Sequence, residues 1–223
     1  MEILDQVPVD IKAEQVLNIL HMEKNSRYSE IVQELIDQVQ PVIRPKAIYD
    51  VQYVEHIDRE TIEIAGVRFT SRILRVNLDD VGRVFPFIAT SGVEAESIDI
   101  SDDDLMGKFI VDTIKEIGLG VAAHYLDEHI KNKYKISKMS AMNPGSLEDW
   151  PISQQKPLFS VFGDVEELIG VKLTDSFLMI PIKSISGIHF PTEKSFASCQ
   201  LCQREKCPNR RAKYDPEMMK KYE

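Results

Sequence analysis

The feature that most constrains the fold is a long apolar stripe at helical spacing in the middle of the chain. Its members are spaced four, four, three, four and four residues apart: Met106, Ile110, Ile114, Ile117, Val121 and Tyr125. Such spacing places side chains on one face of an α-helix. Aspartates at 102–104 favour a helix that begins at Ser101, and lysines at 131, 133 and 135 suit its carboxyl-terminal end. Gly118 and Gly120 lie inside this helix, so we expect another backbone to pack closely there.

Several segments around this helix alternate with period two, as β-strands do. The residues from Tyr49 to Tyr53 predict a strand with one wet face, and the segment 62–69 predicts a hairpin that turns at Ala65 and Gly66. Three further segments predict strands: 85–90, 173–180 and 184–190. Strands separated by one long helix indicate an α+β fold with a mainly antiparallel sheet, on which the long helix packs.

Shorter helices are predicted towards both ends of the chain. Asp10 can cap a helix that carries Ile11, Val16, Leu17 and Leu20 on one side. A second helix is predicted over 29–40, and a third over 159–169, with Gly170 at its end. In the second helix the predicted inward side chains are Ile31, Leu35 and Val39. The resulting organisation is a helical cap at 1–45, an α+β core at 46–192 and a cysteine-rich basic tail at 193–223.

Composition excludes several classes of function. Lys and Arg total 27 against 36 Asp and Glu, and the net charge of −9 disfavours broad binding to nucleic acid. No run approaches the roughly 20 apolar residues of a membrane span, and the amino terminus lacks the pattern of a signal peptide. All three cysteines fall within nine residues, which argues against a secreted disulfide framework and favours a cytoplasmic location.

The segment 170–190 reads GVKLTDSFLMIPIKSISGIHF and resembles the carboxyl-terminal signature of the activation domain of cobalamin-dependent methionine synthase. The positions that match the signature are Gly170, Lys172, Leu173, Thr174, Ser176, Met179, Pro181, Ser184, Ser186, Gly187 and Phe190. The segments 164–166 and 123–134 are similar to the helices that precede the signature in that family. The resemblance covers roughly residues 100–190.

This resemblance implies a twisted antiparallel sheet with flanking helices and a long central helix. It also implies that the chain binds S-adenosylmethionine in a shallow groove and presents it to the cobalamin of a corrinoid-binding methyltransferase. When Co(I) has been oxidised to Co(II), a flavodoxin-like or other electron donor supplies an electron, and methylation traps the reduced cobalt. By resemblance the chain is a free-standing accessory component for reactivation, not a complete enzyme, serving methionine synthase or a related corrinoid methyltransferase.

The resemblance also implies where S-adenosylmethionine binds. The family's two ligand-binding stretches correspond here to these residues: Asn143, Pro144, Gly145, Ser146, Gly187, Ile188, His189 and Phe190. The sequence departs from the family at three positions in or just before these stretches. Ala141 replaces an arginine that would bind a carboxylate, Ser146 replaces a tyrosine, and His189 replaces another tyrosine.

Cys199, Cys202 and Cys207 form a C-x2-C-x4-C pattern followed by Pro208. Thiolates at such spacing predict an iron–sulfur cluster or a zinc site, with a local disulfide or three free thiols as the alternatives. The segment 204–213 carries five basic residues and one acid, and this charge could receive an acidic electron donor.

Three functions remain open at the level of sequence. The first is the reactivation component with S-adenosylmethionine as methyl donor. The second is a metal-bearing redox or docking protein for a corrinoid protein, which does not use S-adenosylmethionine. The third is a purely structural interaction subunit. Because the chain has no phosphate-binding glycine loop, no G-x-S-x-G and no paired carboxylates, a self-contained hydrolase or kinase is not predicted.

Overall fold

The computed structural model describes residues 1–23, 28–193, 196–207, 210–220 and 222. It shows the predicted α+β fold, with a long helix packed on an antiparallel sheet. The helices are α1 (Ala13–Ile19), α2 (Tyr28–Val39), α3 (Arg72–Asn77), α4 (Leu105–Tyr134), α5 (Gln155–Ser160), α6 (Val165–Ile169) and α7 (Pro216–Met219). The strands are β1 (Glu2–Leu4), β2 (Lys46–Tyr49), β3 (Gln52–His56), β4 (Thr61–Ile64), β5 (Val67–Thr70), β6 (Arg83–Thr90), β7 (Met139–Met142), β8 (Lys172–Leu173), β9 (Met179–Ile180) and β10 (Ser184–Pro191).

Strand β6 lies at the centre of the main sheet. It pairs antiparallel with β2 and β3 and with β10, and β10 pairs in turn with β7. Strand β1 pairs with β2, and the hairpin of β4 and β5 extends the sheet from β3. Side chains of alternate residues lie on opposite faces: Phe85 and Phe87 pack with α4, whereas Ile88 packs with α5 and α6. Both faces of the sheet are therefore covered.

Helix α4 begins later than predicted, at Leu105, because the carboxylate of Asp104 accepts a hydrogen bond from the backbone N–H of Gly107 at 2.8 Å and caps the first turn. Its amino-terminal half buries Ile110 and Ile114, as predicted, but these side chains pack against α1 and α2 and not against the sheet. Its carboxyl-terminal half buries different positions from the predicted stripe, and Tyr125 is exposed. The buried positions there are Gly118, Ala122, Leu126 and Ile130.

Gly118 lies between the part of α4 that packs on α1 and α2 and the part that packs on the sheet. A Cβ atom at this position would lie 2.4 Å from Cδ1 of Ile43 and 3.5 Å from Cβ of Ser91. The close packing predicted at Gly118 is therefore present, but it involves these side chains and not another backbone. At Gly120 the prediction is wrong, since no neighbouring atom of the described residues lies within 4 Å of a Cβ placed there.

The amino-terminal helices differ from prediction in two details. The residue before α1 is Lys12, not Asp10, and its backbone N–H is satisfied by Oε1 of Gln15 at 2.8 Å. In α2 the buried side chains include Leu35 and Val39, but Ile31 is exposed. In the first turn of α2 the buried residue is Val32, one position after Ile31.

Three predicted elements are interrupted. The strand predicted from Tyr49 to Tyr53 is divided into β2 and β3, although their pairing with β6 keeps one register. The helix predicted over 159–169 is replaced by α5 and α6, because Asp164 caps a new helix by accepting from the N–H of Glu167 at 3.0 Å. The strand predicted over 173–180 is instead the two-stranded hairpin of β8 and β9. The hairpin at 62–69 and the strand at 85–90 are confirmed.

The segment after β10 packs back on the sheet. Phe196, Leu201 and Tyr222 are buried in the same apolar cluster as Phe69 and Trp150. The backbone N–H of Phe196 donates to Oγ of Ser140 in β7 at 2.9 Å. The division into 1–45, 46–192 and 193–223 remains a prediction. Among the described residues, no helix has the length and apolarity that crossing a membrane requires.

Candidate functional site

The two stretches predicted to bind a ligand lie side by side. Strand β10 pairs with β7 so that His189 faces Ala141 and Ile188 faces Met142. The turn that begins at Asn143 follows β7 directly, and the side-chain amide of Asn143 donates to the backbone carbonyl of Ser186 at 2.7 Å. Sequence positions more than 40 residues apart are therefore adjacent in the structure.

Gly187 is the point where the two stretches approach each other most closely. A Cβ atom there would lie 2.5 Å from the backbone O of Met142, 2.6 Å from Nδ2 of Asn143 and 3.0 Å from Cε1 of Phe87. Two backbones and a ring meet at this position, so no larger residue fits without moving the sheet. The glycine in the signature is required by packing, whether or not a ligand is bound.

The turn after β7 is held by its own hydrogen bonds. The backbone N–H of Gly145, which has φ of +82°, donates to the carbonyl of Trp150 at 2.7 Å. The hydroxyl of Ser146 donates to the carbonyl of Asn143 at 2.6 Å and lies 3.3 Å from the hydroxyl oxygen of Ser198. Pro144 is buried. The turn is thus fixed on one side by the sheet and touched on the other by the tail.

A cavity of about 350 Å³ lies where α4, the strands β7 and β10 and the tail meet. We call it the helix-side cavity. Its volume falls at the lower end of ligand pockets, which span about 300–1,000 Å³. The polar side chains at this cavity are His124, Asp127, Ser140, Asn143, His189 and Arg211.

His189 is the most deeply buried titratable group of this cavity. Its ring stacks on Phe87 with centroids 4.1 Å apart and an interplanar angle of 20°. Burial lowers the pKa of His189 to about 4, against the opposing effects of the Asp127 carboxylate and a hydrogen bond with the Ser140 backbone. The imidazole is therefore neutral at pH 7. Its Nδ1 atom is buried and has no hydrogen-bond partner among the described residues.

Two opposite charges face the same cavity. Asp127 comes from the carboxyl-terminal part of α4, where its carboxylate also pairs with Lys131, and Arg211 comes from the tail. Sequence analysis missed both residues. Asp127 lies in a segment that was matched only as a helix, and nothing in the sequence distinguishes Arg211 from the basic residues around it.

The rest of the predicted set lies elsewhere. Gly145 and Ser146 line a second cavity of about 550 Å³, together with Cys202 and Arg204 of the tail. We call it the loop-side cavity. Ile188 and Phe190 point to the opposite face of β10 from His189 and are buried in the apolar core. Of the predicted site residues, Asn143 and His189 line the helix-side cavity.

The metal site predicted at Cys199, Cys202 and Cys207 is not supported. All three are described, partly buried free thiols, and no group of three potential His, Cys, Asp or Glu ligands gathers anywhere in the described ranges. The donor set therefore does not fit a metal ion or cluster in this conformation. Pro208, which completes the predicted pattern, lies outside the described residues.

Hydrogen bonds to Arg210 and Arg211 give the cysteine segment its shape instead. The guanidinium of Arg210 donates to the carbonyl of Cys199 at 3.0 Å and to that of Cys202 at 3.1 Å, and also to those of Arg204 and Ala212. The backbone N–H of Arg211 donates to Sγ of Cys199 at 3.4 Å, and this hydrogen bond lowers the pKa of the thiol. The Arg210 guanidinium is therefore committed to the tail's own backbone.

Comparison with known proteins agrees with this geometry. The family model described as the activation domain of vitamin B12 dependent methionine synthase matches residues 122–212. This range includes the carboxyl-terminal part of α4, the turn at 143–146, β10 and most of the described tail. A search by sequence among curated proteins finds no match.

One solved structure, described as the crystal structure of the MetH reactivation domain bound to AdoHcy, has a similar fold. The superposition covers 89% of this chain and 81% of that one, with a TM-score of 0.58 and 16% sequence identity. A likeness at this identity shows a shared fold. The fold extends over the amino-terminal region, where the family model has no match.

Proposed function

Because this chain resembles the activation domain of vitamin B12-dependent methionine synthase in signature and in fold, we propose that it is a reactivation component for a cobalamin-dependent methyltransferase. It acts on a separate corrinoid-binding protein, either methionine synthase or a related corrinoid methyltransferase, and uses S-adenosylmethionine as methyl donor. Oxidised cobalamin held by the partner protein is its substrate.

The observation that carries this proposal is that the turn at 143–146 lies against the strand at 187–190, where Asn143 closely approaches Gly187. Both stretches lie in the range that matches the activation-domain model, and both contribute to the walls of cavities beside β7. The similar structure is described as bound to AdoHcy, which is the product that remains when S-adenosylmethionine has given up its methyl group. A site for that class of ligand beside β7 fits both facts.

The reaction has a simple balance of electrons. One electron from a donor reduces Co(II) to Co(I). The electron pair of Co(I) then forms the bond to the methyl carbon, while the bond between that carbon and the sulfonium breaks and its pair stays on sulfur. The second step draws the first forward because it consumes the reduced species as it forms. The protein's part is to hold the methyl donor and to exclude water from it.

A flavodoxin-like protein or another reductant would supply the electron. The exposed basic side chains of the tail, such as Arg204 and Lys206, could contact an acidic donor. We expect Arg210 to contribute less to the binding of such a donor, because its guanidinium already donates hydrogen bonds to backbone carbonyls of the tail.

The test is a reactivation assay with purified protein, a Co(II) corrinoid protein, a chemical reductant and S-adenosylmethionine. We expect the absorption spectrum to convert to that of methylcobalamin only when this chain and S-adenosylmethionine are both present. Conversion at the same rate without the chain would contradict the proposal. A corrinoid methyltransferase and methionine synthase, assayed side by side, identify the partner.

A second candidate is a docking or redox protein that binds a corrinoid partner without using S-adenosylmethionine. The observation that favours it is the presence of Ala141 and Ser146 where the family has arginine and tyrosine. The same assay separates the two candidates. Reduction of the corrinoid that proceeds equally well without S-adenosylmethionine would support the second candidate, and dependence on S-adenosylmethionine would exclude it.

A further inference from the structure

We infer that Asp127 and Arg211 bind the α-amino and α-carboxylate groups of the methyl donor in the helix-side cavity. This inference rests on the proposed function, because it assumes that the ligand is S-adenosylmethionine. It assigns the charged end of the ligand to a residue pair that stands apart from the two predicted stretches.

The first argument is the arrangement of charge. An amino-acid end group carries one positive and one negative charge a few ångströms apart. The helix-side cavity presents one carboxylate, from α4, and one guanidinium, from the tail. Both residues line this cavity together with His189, so the two charges face the same small space and not distant parts of the surface. A guanidinium can form a bidentate pair with a carboxylate.

The second argument is that Arg211 is available to a ligand. In the described ranges, no acidic side chain pairs with its guanidinium. Its backbone is fixed, since its N–H donates to Cys199 and the neighbouring Arg210 is bound to several carbonyls. The tail therefore holds the Arg211 backbone in place and leaves the side chain at the cavity.

The third argument concerns the adjacent wall. Ala141 lines the same cavity as Arg211, and its short side chain leaves room for a long side chain from the tail. His189 adds a neutral hydrogen-bond acceptor, because a ring nitrogen without a proton can accept but not donate. Its buried Nδ1 atom has no partner within the described part of the chain, and a ligand N–H or O–H group would supply one.

The test compares three probes by calorimetry: S-adenosylmethionine, decarboxylated S-adenosylmethionine and 5′-methylthioadenosine. The second probe lacks the carboxylate, and the third lacks both charged groups. Loss of one charge-assisted hydrogen-bonded pair weakens binding roughly 10- to 100-fold. We expect Arg211→Gln to weaken S-adenosylmethionine by this factor while leaving the other two probes unchanged. We expect Asp127→Asn to weaken the first two probes and to spare 5′-methylthioadenosine.

Neighbouring residues supply matched controls. Lys213→Gln removes an exposed tail charge two residues from Arg211, and Glu128→Gln removes the carboxylate next to Asp127. Both should leave S-adenosylmethionine binding within about twofold, as surface charges screened by solvent do. Lys131→Met frees Asp127 from its ion pair and should leave binding equal or tighter. Weaker binding in Lys131→Met would show that Asp127 acts through the ion pair and would overturn its assignment.

The outcomes distinguish this inference from the proposed function. If wild-type protein binds S-adenosylmethionine but Arg211→Gln and Asp127→Asn bind it equally well, the inference fails and the proposed function stands. If wild-type protein binds none of the three probes, the proposed function itself fails. A variant that loses all three probes and its far-ultraviolet circular dichroism has unfolded. In that case Arg211→Lys, which keeps the charge but not the bidentate fork, must show an intermediate affinity, and wild-type affinity in that variant overturns the inference.

Discussion

Two of the walls of the helix-side cavity, one from the sheet and one from the tail, are built in different ways. The sheet wall consists of β7, β10 and Phe87, and β10 is hydrogen-bonded to a neighbour along both of its edges. The tail wall belongs to the described residues between 196 and 222, of which Phe196, Ala197 and Arg211 line the cavity. It is held by separate contacts, among them the Arg210 guanidinium on backbone carbonyls and the Tyr222 hydroxyl on Asn77. The difference indicates that the sheet wall unfolds with the whole domain, whereas the tail wall can open by itself.

The largest effect is expected from Phe196→Ala in the tail wall. Phe196 is buried, and its ring lies 6.5 Å from that of Tyr222. Truncating a buried phenylalanine costs about 3–5 kcal/mol, so we expect the tail to open and trypsin to cleave it near Arg204. The free energy of global unfolding, measured in urea, should fall by less than that cost. If the free energy of global unfolding falls by the full amount of about 3–5 kcal/mol and trypsin cleaves the tail no faster, the tail and the sheet unfold together.

Gly187→Ala tests the sheet wall. Its new Cβ meets a backbone oxygen at 2.5 Å, and overpacking of this kind costs about 1–3 kcal/mol. We expect the whole amount to appear in the free energy of global unfolding, measured in urea. Gly120→Ala is the matched control, because no atom lies within 4 Å of its Cβ. It should stabilise the protein by up to about 1 kcal/mol through helix propensity. Equal effects of the two substitutions would contradict the packing argument.

The burial of His189 in the sheet wall predicts how the free energy of unfolding depends on pH. Its pKa is about 4 in the folded protein and about 6.5 in an unfolded chain. As pH falls below 6.5 the unfolded state binds the proton first, so stability is lost between about pH 6.5 and pH 4 and is unaffected above this range. The expected loss between pH 7 and pH 5 is about 2 kcal/mol. Urea unfolding of the wild type and of His189→Gln at both pH values measures it as the difference between the two proteins. Identical pH slopes would mean that the ring is solvated.

The smallest effect is expected from Tyr222→Phe. The substitution removes one hydrogen bond from the hydroxyl to Oδ1 of Asn77, which measures 2.7 Å, at a cost of about 1 kcal/mol. We expect faster hydrogen exchange in the tail and an unchanged rate in β6. Tyr214→Phe is the control, since Tyr214 is exposed. Faster exchange in β6 would show that the tail is coupled to the sheet.

The elements that the sequence predicted well are those whose stability is local or periodic. The hairpin at 62–69 has a turn that needs positive φ at two successive residues, and Ala65 and Gly66 adopt φ of 55° and 75°. The strand at 85–90 and the first half of α4 were predicted from their periodicity. The second half of α4 was not, because Tyr125 continues the stripe in sequence while Leu126 faces the sheet in the structure.

The candidate site was predicted only in part. The match to the signature selected the turn after β7 and the strand β10, and the structure brings these together. The sequence did not show that His189 faces the cavity while Ile188 and Phe190 face the core. Which face of a central strand meets the core depends on the elements that cover each face. The metal site predicted at the cysteines is not supported by the structure, for a related reason. Spacing brings thiols close along the chain, but the hydrogen bonds of Arg210 and Arg211 hold this segment in another shape.

By itself the sequence determined the class of the fold, the central position of the long helix and the resemblance of the region around 170–190 to a known family. These properties follow from periodicity, turn chemistry and a dense motif, which act over a few residues at a time. Only the tertiary structure decided that Asp127 and Arg211 face one cavity and that His189 is buried and neutral. Charge pairing and burial depend on which surfaces meet, and residues 84 positions apart meet only after the sheet, the helix and the tail have packed.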